Sequence, residues 1–125
     1  MSTRCCVVVK DKWDKFTLYH HHDGYPEGVG ADLKSYIERI KENDWSVDAE
    51  RFANVLIKNE SERTGFNDNE FEITMRLHGD IEYLYEVDCQ TMTLKCWSVL
   101  LNWETGKFRY RKPVDLDVVL NKKEQ

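Results

Sequence analysis

Three consecutive histidines, His20, His21 and His22, with Asp23 after them, form the densest group of metal-binding and proton-carrying side chains in the sequence. On a strand alternate side chains share a face, so His20 and His22 would project together. With Asp23 or Glu27 as an oxygen donor they could hold a divalent metal for a hydrolase. Phe16 and Leu18 stand on the same parity, which points instead to a buried His20 bonded to a loop carbonyl. Immediately downstream, Gly24, Gly28 and Gly30 flank Tyr25, Pro26 and Glu27. Glycines ahead of a helix can leave amides open to an anion, and Tyr25 and the histidines would complete a cradle for a small anionic ligand. The spacing departs from both the P-loop and the dinucleotide fingerprint. The competing structural reading, favoured here, gives Gly24, Gly28 and Gly30 positive φ angles, lets Pro26 stiffen the turn and Tyr25 cap the core, and has Asp23 accept backbone amides within the loop.

Other reactive types are less organised. Cys5, Cys6, Cys89 and Cys96 contain no Cys-x-x-Cys, and the adjacent pair would point to opposite faces of a strand, so reduced, mostly buried thiols are expected. No serine sits in a Gly-x-Ser-x-Gly context, and no covalent catalyst is assigned. Lys107-Phe108-Arg109-Tyr110-Arg111-Lys112 interleaves cations and aromatics in a way that suits single-stranded nucleic acid. Alternation separates the two sets, however, so a core-facing aromatic pair with a charged outer side is the better expectation. Trp97 and Trp103 fall on the strand parity opposite Cys96 and Leu100. One of these sets must face away from the helices, where a second copy, a partner protein, the C-terminal tail or packing within the monomer would cover it. Trp13, in a hairpin turn, is another candidate contact residue.

The run from Tyr19 to Leu33 resembles a pattern, His-x-Asp-Gly-Tyr-Pro-x-Gly-x-Gly, found in small uncharacterised bacterial and prophage proteins. The resemblance covers about fifteen residues and brings no catalytic roles with it. It implies a strand, tight loop and helix acting as one unit in a protein of mobile-element type.

These residues need elements to position them. Cys5 to Lys10 and Phe16 to His22 predict two strands joined by a short hairpin. A helix then follows with Leu33, Tyr36, Ile37 and Ile40 on one face, and a second is expected to start near Ser46 and bury Ala49, Phe52, Ala53 and Leu56. After a polar loop over 58–70, Phe71 to Leu77 and Ile81 to Val87 predict a hairpin with one dry face. Leu94 to Trp103 reads as a central strand, and Lys107 to Arg111 as the last, ended by Pro113. The predicted fold is α+β: a mainly antiparallel sheet of about six strands, order ββααββββ, with two helices packed on one face.

The 125 residues suit one domain, 1–125, with 121–125 frayed, and 41% hydrophobic and 12% aromatic content is enough for a core. A net charge of -5 argues against a general affinity for nucleic-acid backbones. Apolar runs are short and the N-terminus lacks a signal-like apolar region, so a cytoplasmic protein without membrane contact is expected. The combined reading is a binding or interaction module without turnover or cofactor, with a protein or small anionic ligand as partner and a homodimer as one form. Its candidate ligand residues are His20, His22, Asp23, Tyr25, Gly28 and Gly30, and its candidate contact residues are Trp13, Trp97 and Trp103. A metal-dependent hydrolase centred on His20, His22 and Asp23 and a single-stranded nucleic-acid binder are the alternatives.

Overall fold

The computed structural model describes residues 3–58 and 71–124, with side chains to residue 120. The expected polar loop over 58–70 lies almost wholly outside the described residues. Strands β1 (Cys5–Lys10) and β2 (Lys15–His20) form a hairpin. A wide helical turn, Pro26–Gly30, runs directly into α1 (Ala31–Glu42), and α2 (Ala49–Ile57) follows. Then come β3 (Phe71–Thr74), β4 (Tyr83–Asp88), β5 (Thr93–Asn102), β6 (Lys107–Pro113) and a third helix, α3 (Leu116–Glu124). The fold is α+β, and its order runs ββααββββα where ββααββββ was expected.

The six strands lie in the order β3-β2-β1-β4-β5-β6. The sheet is mixed rather than purely antiparallel, because β1 and β4 run parallel, with Cys5 opposite Tyr83 and Val9 opposite Val87. The expected hairpin between β3 and β4 does not form: β3 pairs with β2 at one edge, while β4 lies between β1 and β5. Both parities explain why. Cys5 to Val9 is buried throughout, and Leu84 and Tyr85 are buried on opposite faces of β4. Two strands dry on both sides are most stable side by side in the sheet interior. β3 at the edge leaves Ile73 and Met75 exposed, so its predicted dry face is only partly covered.

One face carries the helices. Val7, Val9, Leu18, Tyr85 and Cys96 pack there against Leu33, Tyr36, Ile37 and Ile40 of α1, Phe52, Val55 and Leu56 of α2, and Leu116 of α3. Burying a side chain the size of Leu or Phe contributes roughly 1.5–3 kcal/mol, so this cluster supplies most of the drive to fold. Asp48, not Ser46, caps α2: its carboxylate accepts the Arg51 N–H at 2.8 Å. α1 ends in a Schellman arrangement, with Trp45 N–H donating to the Ile40 carbonyl at 3.0 Å, Asp44 N–H to that of Lys41 at 3.3 Å, and Asp44 at φ 53.

The opposite face is covered by the chain itself. Residues 75–82 cross beneath the sheet from β3 to β4, and Leu77 and Ile81 pack with Cys6, Val8, Tyr19, Leu84, Trp97, Val99 and Phe108. The parity that carries Trp97 and Val99 therefore faces away from the helices, with Val99 buried and Trp97 half-buried against this segment.

Candidate functional site

His20 ends β2 on the helix side, only 4% exposed, and its ring lies tilted against that of Phe71, centroids 4.6 Å apart. Its Nδ1 lies against the His22 carbonyl. Because the strand stops at His20, His22 is turned out to solvent and does not share its face, which separates the imidazoles that the alternation paired. Among the described residues no three His, Cys, Asp or Glu side chains converge where a metal ion would sit.

The glycine loop is tied up internally. Asp23, not a glycine, takes the left-handed conformation at φ 52, and Gly24, Gly28 and Gly30 have no positive φ, contrary to expectation. They answer close approach instead. A Cβ on Gly28 would lie 2.2 Å from the Asp23 carbonyl oxygen, and one on Gly24 2.8 Å from Cys5 Cβ. On Gly30 it would lie 3.0 Å from Leu116 Cδ2. Gly28 N–H donates to the Tyr25 carbonyl and Val29 N–H to that of Asp23, both at 2.9 Å. Ala31 N–H is likewise spent on the carbonyls of Pro26 and Gly28. The chain is already helical from Pro26, so α1 does not open at Ala31 as an anion cradle requires. The Tyr25 hydroxyl reaches Asp23 Oδ1 at 3.3 Å, and the negative charges of Asp23 and Glu27 push its pKa up. The surroundings are acidic, which disfavours an anion further. The loop is pinned to the core through the buried Tyr85 hydroxyl, which donates to the Gly24 carbonyl at 2.8 Å.

A cluster that sequence spacing missed lies on the other face. Tyr19 Oη sits 2.9 and 2.8 Å from the two Asp80 oxygens, and Arg4 Nε lies 3.3 Å from Asp80 Oδ2. The Tyr19 ring is stacked on His21 and meets His78 edge-on at 3.9 Å. His78 Nε2 is 3.0 Å from Thr74 Oγ1, and His21 Nε2 is 3.6 Å from Glu72 Oε1. Burial, then Asp80, pushes the Tyr19 pKa up, so its hydroxyl is a standing proton donor rather than a base. The group fastens the crossing segment to β2. A shallow hollow of about 420 Å³ beside it is lined by Arg76, Leu77, His78, Gly79, Asp80 and Trp103.

No family model, curated protein or solved structure matches the chain.

The three candidate contact tryptophans, Trp13, Trp97 and Trp103, are not brought together. Trp97 is half-buried, 5.5 Å from the Tyr110 ring. Trp13 and Trp103 are each 79% exposed. The register places them at opposite ends of the sheet: Trp13 follows the Lys10 and Asp88 end of β1 and β4, whereas Trp103 follows Asn102, beyond the end where Cys5 meets Tyr83 and Tyr83 meets Ser98. The outer edge of the Trp103 ring comes close to Gly79, where an added Cβ would lie 2.8 Å from its Cη2. Elsewhere on β5 and β6, Leu100 and Tyr110 are also exposed. The core-facing aromatic pair expected of the last strand is thus only half realised: Phe108 packs inward and Tyr110 stays out. Burial raises the pKa of every thiol, to about 11 for Cys6, to about 12 for Cys89 and Cys96, and well above the ordinary value for Cys5. These cysteines are neutral and weakly nucleophilic near pH 7. No helix among the described residues is long and apolar enough to cross a membrane.

Proposed function

We propose that the protein is a binding module that acts without turnover and meets a protein partner at the β5–β6 end of its sheet. The observation that carries this reading is Trp103: 79% of it is exposed, yet its ring lies against Gly79. An exposed Trp has a large apolar area to bury and only two side-chain torsions to order on contact, which is how an interface anchor gains affinity. Two further features support it. The thiols are held neutral, and the Asp80 carboxylate is engaged by Tyr19 and Arg4, so the best-placed reactive groups serve the fold. Such a module suits the mobile-element character that the resemblance of residues 19–33 implies.

Photo-cross-linking tests the reading. A photoreactive phenylalanine analogue would replace Trp103 in one variant and Trp13 in another, both irradiated in extract of the native host. A discrete protein adduct from position 103 that is absent from position 13 is the expected result. Equal labelling from both positions, or none from 103, would overturn it.

A further inference from the structure

We infer that the free edge of β6 accepts an extended peptide of alternating acidic and apolar residues as a seventh strand. The inference rests on the β5–β6 end being the binding surface and adds the chemistry of what binds there.

Among the described residues β6 is the last strand of the sheet, hydrogen-bonded to β5 on one side alone. Its unpaired side presents backbone donors and acceptors of the kind that capture a strand from another chain. Lys107 opposes Asn102 and Arg109 opposes Leu100, on the helix-side parity, while Phe108 opposes Leu101 and Tyr110 opposes Val99 on the other. Residues 107 and 109 to 112 are all exposed, so the strand is open on both faces. A strand added at the edge sets each of its side chains beside the one directly opposite, on the same face. Its residues beside Lys107 and Arg109 would therefore be acidic, and those beside Phe108 and Tyr110 apolar.

Charge selects the same partner. Lys107, Arg109, Arg111 and Lys112 concentrate four cations on one strand of a chain whose net charge is -5. Like charges keep two copies of this edge apart, while an acidic strand is drawn to it. A single-stranded nucleic acid would need cations and stacking rings on one face, and β6 divides them between two. The usable ladder is short: the register shift opposite Ser98 and Val99 leaves Arg111 as an extra residue, and Pro113 has no N–H to give. A match over Lys107 to Tyr110 is what remains.

The test is fluorescence anisotropy at low salt with three fluorescein-labelled probes. These are a capped heptapeptide alternating Glu and Val, a block-sequence peptide of the same composition, and a thymidine oligonucleotide. The expected result is that the alternating peptide binds at least tenfold more tightly than the block peptide, and that N-methylation along one of its edges abolishes binding. Charge reversal by Lys107→Glu with Arg109→Glu should cost tenfold or more and transfer preference to a Lys/Val peptide. Circular dichroism and melting of that variant confirm that it is folded. Equal binding of the alternating and block peptides overturns the inference, as does retention of the oligonucleotide alone or indifference to charge reversal. Trp103→Ser separates the two proposals. Peptide binding that survives this change while depending on Arg109 keeps the edge and removes Trp103 as anchor, whereas loss in Trp103→Ser with Arg109 irrelevant does the reverse.

Discussion

One oxygen of the Asp11 carboxylate accepts the backbone N–H of Ala49, the first residue of α2, at 2.9 Å. The other accepts those of Trp13 at 2.7 Å and Asp14 at 2.8 Å. A single side chain thus shapes the β1–β2 hairpin turn and satisfies an amide at the positive end of a helix. These bonds, that to Ala49 foremost, hold its pKa below the ordinary carboxylate value.

Asp11→Asn follows from that geometry. A carboxyl whose pKa is depressed on folding contributes stability that is present above its unfolded pKa and lost as pH falls through the folded one. The variant should melt at a lower temperature than wild type at pH 7, with the gap closing below about pH 4. Lys34 also depresses Asp117, so the difference between the two melting profiles, and not either alone, isolates Asp11. A gap that is constant with pH would count against the charged contact.

Tyr85→Phe should cost about 1–3 kcal/mol, because it strands the buried Gly24 carbonyl without its donor. Urea denaturation with an unchanged slope measures this. Gly28→Ala should cost more than Gly30→Ala, since the added methyl meets backbone oxygen at 2.2 Å in the first case and the movable end of Leu116 at 3.0 Å in the second. The reverse ranking would mean that the 23–30 loop relaxes more readily than its hydrogen bonds imply.

Asp44→Gly should stabilise the fold by about 0.5–1 kcal/mol. Asp44 holds φ 53 at the end of α1, a conformation that glycine adopts without crowding a Cβ. An equal or lower denaturation midpoint would assign the Asp44 side chain a compensating role there.

The thiols should be slow. With pKa values raised to about 11 or 12, Cys6, Cys89 and Cys96 should react with a disulfide reagent at pH 8 at least tenfold more slowly in the native state than in urea. Cys89, the one thiol that is not fully buried, should be the first to react. A rapid native burst from Cys5 or Cys6 would show that β1 opens.

Local periodicity made α1, α2 and the first hairpin legible, whereas α3 was not. Leu33, Tyr36, Ile37 and Ile40 repeat every three to four residues, and all four are buried. The partner of β4 was not legible, because alternation fixes which face a residue takes and is silent about which strand lies beside it. The signal that could have found it was Leu84, an apolar residue on the parity that the dry-face reading left polar. The glycines misled for a related reason: they mark tight backbone approach as readily as positive φ, and Gly28 needs room for the Asp23 carbonyl. Tyr19 and Asp80 meet from 61 positions apart, so no spacing rule reaches them. Trp103 was visible as a surface candidate, whereas its close approach to Gly79 came only with the fold.

The parallel pairing of Cys5 with Tyr83 also governs what happens while the chain is being made. β1 leaves the ribosome early with β2 for company, but its second edge, apolar on both faces, stays open until Tyr83–Asp88 emerges. At ordinary translation rates that wait is on the order of 5–15 s. Nascent chains halted short of Tyr83 would carry this uncovered edge, and these are the species on which a cell's holding chaperones should act.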